Sequence, residues 1–94
     1  MSTWDTFQKC LDIAIAKSKS VRNDKMFICD QIRHTNPFTY EFRFCHFESG
    51  YFHTVIVADS GIIVKFSEIY RPIEAMDLYH EIKEYRENPP VRVE

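Results

Sequence analysis

Between Phe38 and Phe47 the chain alternates with a period of two: Phe38, Tyr40, Phe42, Phe44 and His46 fall on one side, Thr39, Glu41, Arg43, Cys45 and Phe47 on the other. An extended strand with one buried face places side chains this way. The sequence holds only two glycines, Gly50 and Gly61, each directly after a serine and each between apolar runs. Glycine supplies the positive φ that a tight hairpin needs, so the two Ser-Gly steps are read as turns joining strands 38–47, 51–58 and 62–69. A further strand, 25–33, comes before them and stops at His34-Thr35-Asn36-Pro37, a turn signal.

The two ends read as helices. Over 4–19, Trp4, Phe7, Leu11 and Ala14 or Ile15 recur at steps of three and four, and the stripe stops at Ser18. Ser2 is the expected N-cap, with Asp5 three residues on, and Lys17, Lys19 and Arg22 suit the negative end of the helix dipole. Over 73–87, Pro72 fits the first helical position, and Ala75, Leu78, Tyr79, Ile82 and Tyr85 make the apolar stripe. Asn88-Pro89-Pro90 ends it, leaving 88–94 as a short tail. The expected fold is α+β: a four-stranded antiparallel meander with an N-terminal and a C-terminal helix packed on one face, α-β-β-β-β-α in two layers.

Ninety-four residues make one domain. Hydrophobic residues at 45% and charged ones at 28% are ordinary globular usage, which argues against disorder. A net charge of −2 lacks the basic excess by which phosphates are held, so nucleic acid is not the expected partner. Cys10, Cys29 and Cys45 are odd in number and form no C-x-x-C pair, which fits buried free thiols in a reducing cytosol. No run approaches the ~20 apolar residues that span a bilayer, and no membrane partner is expected.

Two-residue turns at Ser49-Gly50 and Ser60-Gly61 would fix the register. Phe42 then opposes Val57, Phe44 opposes Val55, Val57 opposes Val64 and Val55 opposes Phe66, aligning the apolar faces. A three-residue first turn would put Phe44 opposite Thr54 and mix them. The same register lines up His46, His53 and Glu68, two imidazoles and a carboxylate of the kind that binds a divalent metal. Three residues in a row across strands spread over ~10 Å, so a polar rim with a His–Glu hydrogen bond is the expectation, with no metal and no cofactor.

Strand neighbours Cys45 and His46 point to opposite faces, and no thiol has a setting that would lower its pKa. Glu41 and Glu68 form no dyad, and no phosphate loop or hydrolase motif occurs; the expectation is a protein that is not an enzyme. On the sheet face away from the helices, Phe47, Phe52 and Ile69 would form an apolar group beside Arg43, Ile56 and Lys65. A contiguous patch of this kind marks an interface. The expected function is a small stand-alone protein-binding module, an inhibitor or regulator of a larger protein such as an immunity or phage-encoded factor, with a second copy as another candidate partner at that face. The alternatives are an oligomeric small-ligand or nucleotide-sequestering protein using Arg33, His34, Arg43, His53, Lys65 and Arg71, and single-stranded nucleic-acid binding by stacking on the open sheet.

Overall fold

The computed structural model describes residues 3–87; the expected N-cap Ser2 and the tail 88–94 lie outside the described residues. Helix α1 spans Thr3–Val21, strands β1 to β4 span Phe27–Asn36, Thr39–His46, Tyr51–Ala58 and Ile63–Tyr70, and helix α2 spans Pro72–Glu87. The sheet is antiparallel throughout, in the order β1-β2-β3-β4. This is the expected α-β-β-β-β-α order and α+β class. Among the described residues no helix is long and apolar enough to cross a membrane.

α1 packs on the sheet through its smallest residues. Cys10, Ala14 and Ser18 are fully buried and four apart, so they form one straight ridge along the helix. That ridge lets the helix backbone come close to the large side chains that β2 and β3 raise toward it, Tyr40, Phe42, Phe44, Val55 and Val57. Phe7 and Leu11 pack at the side of this core, while Trp4, expected within the stripe, is two-thirds exposed. Aromatic bulk therefore comes from the strands and closeness from the helix.

The hairpins differ from two-residue turns, and the faces survive for a physical reason. β2 and β3 are joined by the four residues Phe47 to Gly50, closed by the Gly50 amide donating to the His46 carbonyl at 2.9 Å. Phe42 therefore pairs with Val55, not Val57, and Phe44 with His53, not Val55. The slip is two residues, and side chains alternate with period two, so Phe42, Phe44, Val55 and Val57 still share one side. In the next hairpin Ala58 donates to the Ile62 carbonyl at 2.8 Å, making the loop Asp59-Ser60-Gly61 three residues long, with Gly61 at φ 96°. Val57 accordingly pairs with Ile63, and Val64 is the extra residue of a bulge, solvent-exposed and not opposite Val57 as expected. Beyond the bulge the expected pairs return, Val55 with Phe66 and His53 with Glu68.

β1 runs longer than expected, to Asn36. The Asn36 side-chain carbonyl accepts from the Phe38 amide at 2.8 Å, which bends the chain at Pro37-Phe38 into β2. A second bulge sits at Asp30, between the pairs Cys29–Phe44 and Gln31–Arg43. Asp30 is nearly buried and forks onto the Arg43 guanidinium on the next strand. A charge tucked inward at a bulge on an edge strand blunts that edge against pairing with other chains.

α2 does not share the face of α1. Pro72 is its first residue, with the Arg71 carbonyl accepting from Ala75 at 3.0 Å. Its Ala75 and Leu78 pack with Cys45, Phe52, Ile28 and Phe47, a second cluster built from residues that alternate with those beneath α1. The chain leaves β4 through Tyr70-Arg71 at the Gly50 end of the sheet, where the Arg71 amide donates to the Gly50 carbonyl at 2.8 Å. A helix starting there covers the apolar residues nearest to it, and those are Phe47 and Phe52. The expected two-layer packing on one face is thus replaced by one helix on each side.

Both glycines are under close constraint. A Cβ on Gly50 would stand 2.9 Å from the Cα and Cβ of Pro72, whereas one on Gly61 would stand 2.9 Å from the flexible end of Lys9. Each substitution also forces a left-handed residue at a cost of about 1–2 kcal/mol. Chemical denaturation should show Gly61→Ala losing about that amount and Gly50→Ala losing distinctly more, because the first turn of α2 must move.

Candidate functional site

α2 lies on the residues expected to form an open interface. Phe52 is 2% exposed, closed over by Ala75. Phe47 meets the Tyr79 ring edge-on at 5.7 Å. Arg43 lies over the Phe52 ring at 4.7 Å and is held by Asp30, with Glu74 4.0 Å away. The neighbouring anions and hydrogen bonds raise its already high pKa, chiefly the bond to Asp30. Ile69 and Lys65 remain exposed and Ile56 half-buried. The contiguous group Phe47, Phe52 and Ile69 is therefore not a free patch, because α2 uses two of its three members as its own floor. For the same reason the face lacks the row of open aromatic rings on which single-stranded bases would stack.

The apolar surface reappears further along, on α2 itself. This 16-residue helix buries only Ala75 fully. Ile73 is 75% exposed, Met76 61% and the adjoining Tyr70 of β4 59%. Met76 and Tyr70, with Tyr79 and with Met26 from the α1–β1 connection, line a groove of about 510 Å3 that runs between α2 and the β2–β3 turn, and Ile73 stands beside it in a neighbouring cleft with Arg71, Glu74 and Asp77. At ~200 Å2 for a large side chain, the four groove residues Met26, Tyr70, Met76 and Tyr79 leave roughly 400 Å2 of largely apolar surface in water. That is the size of the largest patch on a typical monomer, and close to the apolar share of one side of a standard interface.

The floor of this groove is stitched firmly. Asp24 accepts from the Ser49 amide at 2.8 Å and the Ser49 hydroxyl at 2.9 Å. Glu48 accepts from the Lys25 amide at 2.7 Å, and the Phe47 amide donates to the Met26 carbonyl at 3.1 Å. The connection carrying Met26 and the turn carrying Phe47 are thereby held together, so Met26 is presented by a fixed backbone.

The histidines are not a rim. His46 and His53 are both fully buried, 4.5 Å apart ring to ring, although the register pairs His46 with Tyr51. Ser18 of α1 stands between them, its hydroxyl 2.7 Å from His46 Nε2 and 2.7 Å from His53 Nδ1. His53 Nε2 is 2.7 Å from Glu68, which also accepts from Arg22 Nε at 2.8 Å and Nη2 at 3.2 Å. The bond from Arg22, with help from His53, pulls the Glu68 carboxyl down to about 2. Among the described residues no group of three His, Cys, Asp or Glu side chains is arranged to hold a metal ion. Sequence reasoning found His53–Glu68 through strand pairing. It missed Ser18, whose only signal was a polar residue at the next position of an apolar stripe.

The cations considered for a small anion are not gathered. His53 is buried, His34 stacks on Tyr40 at the far end, and Arg33 lies 4.0 Å from Glu41. Arg43 and Arg71 do line one small cleft, but Glu74 reaches both, at 4.0 and 3.9 Å. Burial pushes the Cys45 thiol up to about 12 and raises Cys10 and Cys29 for the same leading reason. Cys10 and Cys45 are fully buried and Cys29 is partly exposed. An aromatic disulfide reagent at pH 8 should therefore label at most one thiol in the native protein, slowly, and all three in denaturant; rapid native labelling of two or more would contradict the packing of at least one of the two cores. The chain matches no protein-family model, and no curated protein or solved structure is significantly similar to it.

Proposed function

We propose that this protein is a binding module for another protein, acting as an inhibitor or regulator of it, and that it engages through the end formed by Tyr70, the first turns of α2 and Met26. The observation that supports this is the burial pattern of α2. A helix held to the sheet through Ala75 and its neighbours, yet turning Ile73 and Met76 into water beside Tyr70, gains nothing from those two side chains in the free protein. The rim of the surface carries Glu48, Glu74 and Asp77 against Arg71. A partner that fits it presents an apolar ridge flanked by cations.

The reading differs from the sheet-face expectation in place and not in kind, since α2 has taken the sheet-face residues as its floor. The small-anion alternative draws no support from the scattered cations, whose best pair shares Glu74. Ile73→Glu and Met76→Glu are changes at exposed positions and should alter stability by about 0.5 kcal/mol or less. Each should weaken capture of the partner from a lysate of the source cell by tenfold or more, as charges placed in an interface core do. Undiminished capture of the same partner by both variants would remove this surface from the reading. Sedimentation of the free protein across a wide concentration range tests whether the partner is a second copy.

A further inference from the structure

We propose that Ser18, His46, His53 and Glu68 form an acid-operated latch, which holds the C-terminal half of α1 on the sheet when both imidazoles are neutral and releases it when the histidine pair takes up a proton.

For two neutral rings the geometry allows one set of bond directions. Glu68 is a carboxylate that only accepts, so His53 Nε2 carries a hydrogen and donates to it. In a neutral ring Nδ1 is then bare and accepts from the Ser18 O–H. With its own hydrogen spent, Ser18 Oγ accepts from His46 Nε2–H. His46 is left with a bare Nδ1, and this is the one buried side-chain nitrogen or oxygen without a hydrogen-bond partner among the described residues. Neutral, the chain tolerates this, because an unpaired acceptor is its only defect. One more proton breaks it. Placed on His46 Nδ1, it makes a buried N–H with no acceptor; placed on His53 Nδ1, it turns the Ser18 hydroxyl toward His46 Nε2, whose own hydrogen must then move to that same unpartnered Nδ1.

The surroundings give little relief for such a charge at His46. β1 presents the flat Phe27 ring, stacked on His46 at 4.9 Å. From β3 come His53 itself and Tyr51, the residue paired with His46. From α1 come Ser18, Arg22, whose guanidinium lies 3.7 Å over the Tyr51 ring, and Lys17, above the Phe66 ring that His53 meets edge-on. Glu68 of β4 is already shared by Arg22 and His53, and Asp24 of the α1–β1 connection is engaged by Ser49. Burial, and then the neighbouring His53, lowers the His46 pKa below its ordinary value, while Asp24 and Glu68 oppose this more weakly.

The sign follows. The open form, with His46 in water, binds a proton below about pH 6.5, and the closed form does not until the pH is lower still. The latch is therefore at full strength above about 6.5 and weakens as the pH falls below it. Glu68 acts in a separate window: its contribution is complete above about 4.5, the ordinary carboxylate value, and is lost as pH falls from there toward about 2.

Native-state hydrogen exchange, corrected for the pH dependence of intrinsic exchange, reads the latch directly. Between pH 7.5 and 5.5 the opening constant for the amides of the last turn of α1 should rise about tenfold, the factor for one imidazole of ordinary pKa that is neutral when closed and free when open. In His46→Phe, which keeps the stack on Phe27, the rise should fall below about threefold. A rise under twofold in the native protein, or an undiminished rise in the variant, overturns the proposal. If His46→Phe does not fold, the native protein still decides. The His46 ring signal should titrate below the range of an ordinary imidazole, and an ordinary titration near 6.5 with α1 still protected would overturn the latch.

Discussion

The molecule depends on the fit of a ridge of small residues against a sheet of large ones. Cys10, Ala14 and Ser18 give α1 no bulk of their own, so the volume between helix and sheet is filled by Phe42, Phe44, Val55, Val57 and the two buried imidazoles. Close packing of this kind tolerates little change in size on either side. It also explains why a serine can stand fully buried on that ridge. A polar side chain is acceptable there because two imidazole nitrogens are within hydrogen-bond distance of it.

The opposite side of the sheet is made differently. α2 has no comparable ridge, and its anchor is Ala75 over Phe52 with Leu78 and Tyr79 alongside. Its entry is fixed where Gly50 admits Pro72 at a distance that no Cβ would allow. A helix held at its start and only lightly along its length leaves grooves on its flanks. The apolar surface proposed to bind a partner is thus a consequence of how α2 is attached. The two helices carry separate tasks: α1 closes the main core and covers the buried histidines through Ser18, and α2 presents side chains to the outside.

Much of the fold was legible in the sequence because strand alternation and helix periodicity are properties of short segments. The strong pattern 38–47 and the two Ser-Gly steps were enough to place strands and faces. Register was less legible, because Ser-Gly marks a turn without stating its length: one loop has four residues and the other three. The first error moved pairing by two and so left the faces intact. The second was absorbed by the bulge at Val64. The side taken by α2 was not readable, since a stripe of Ala75, Leu78 and Tyr79 fits either face and the choice is made by where β4 ends. The candidate site suffered from this directly: Phe47 and Phe52 were read as part of an open interface, and the chain's own helix covers them. Strand pairing found His53 opposite Glu68 but set His46 opposite His53, where the register has Tyr51, and the burial of both rings depended on Ser18 and hence on the seating of α1, a tertiary fact no local pattern carries.

The division of the helices between the two faces is the claim on which the contact surface and the buried histidines both rest, and methyl-to-ring nuclear Overhauser contacts measure it most directly. The Ala75 methyl should show contacts to the Phe52 ring and the Ala14 methyl to the Phe42, Phe44 and Val55 group, with no exchange of partners between them. Contacts from the Ala75 methyl to Phe44 or Val55 would place both helices on one side and contradict the account.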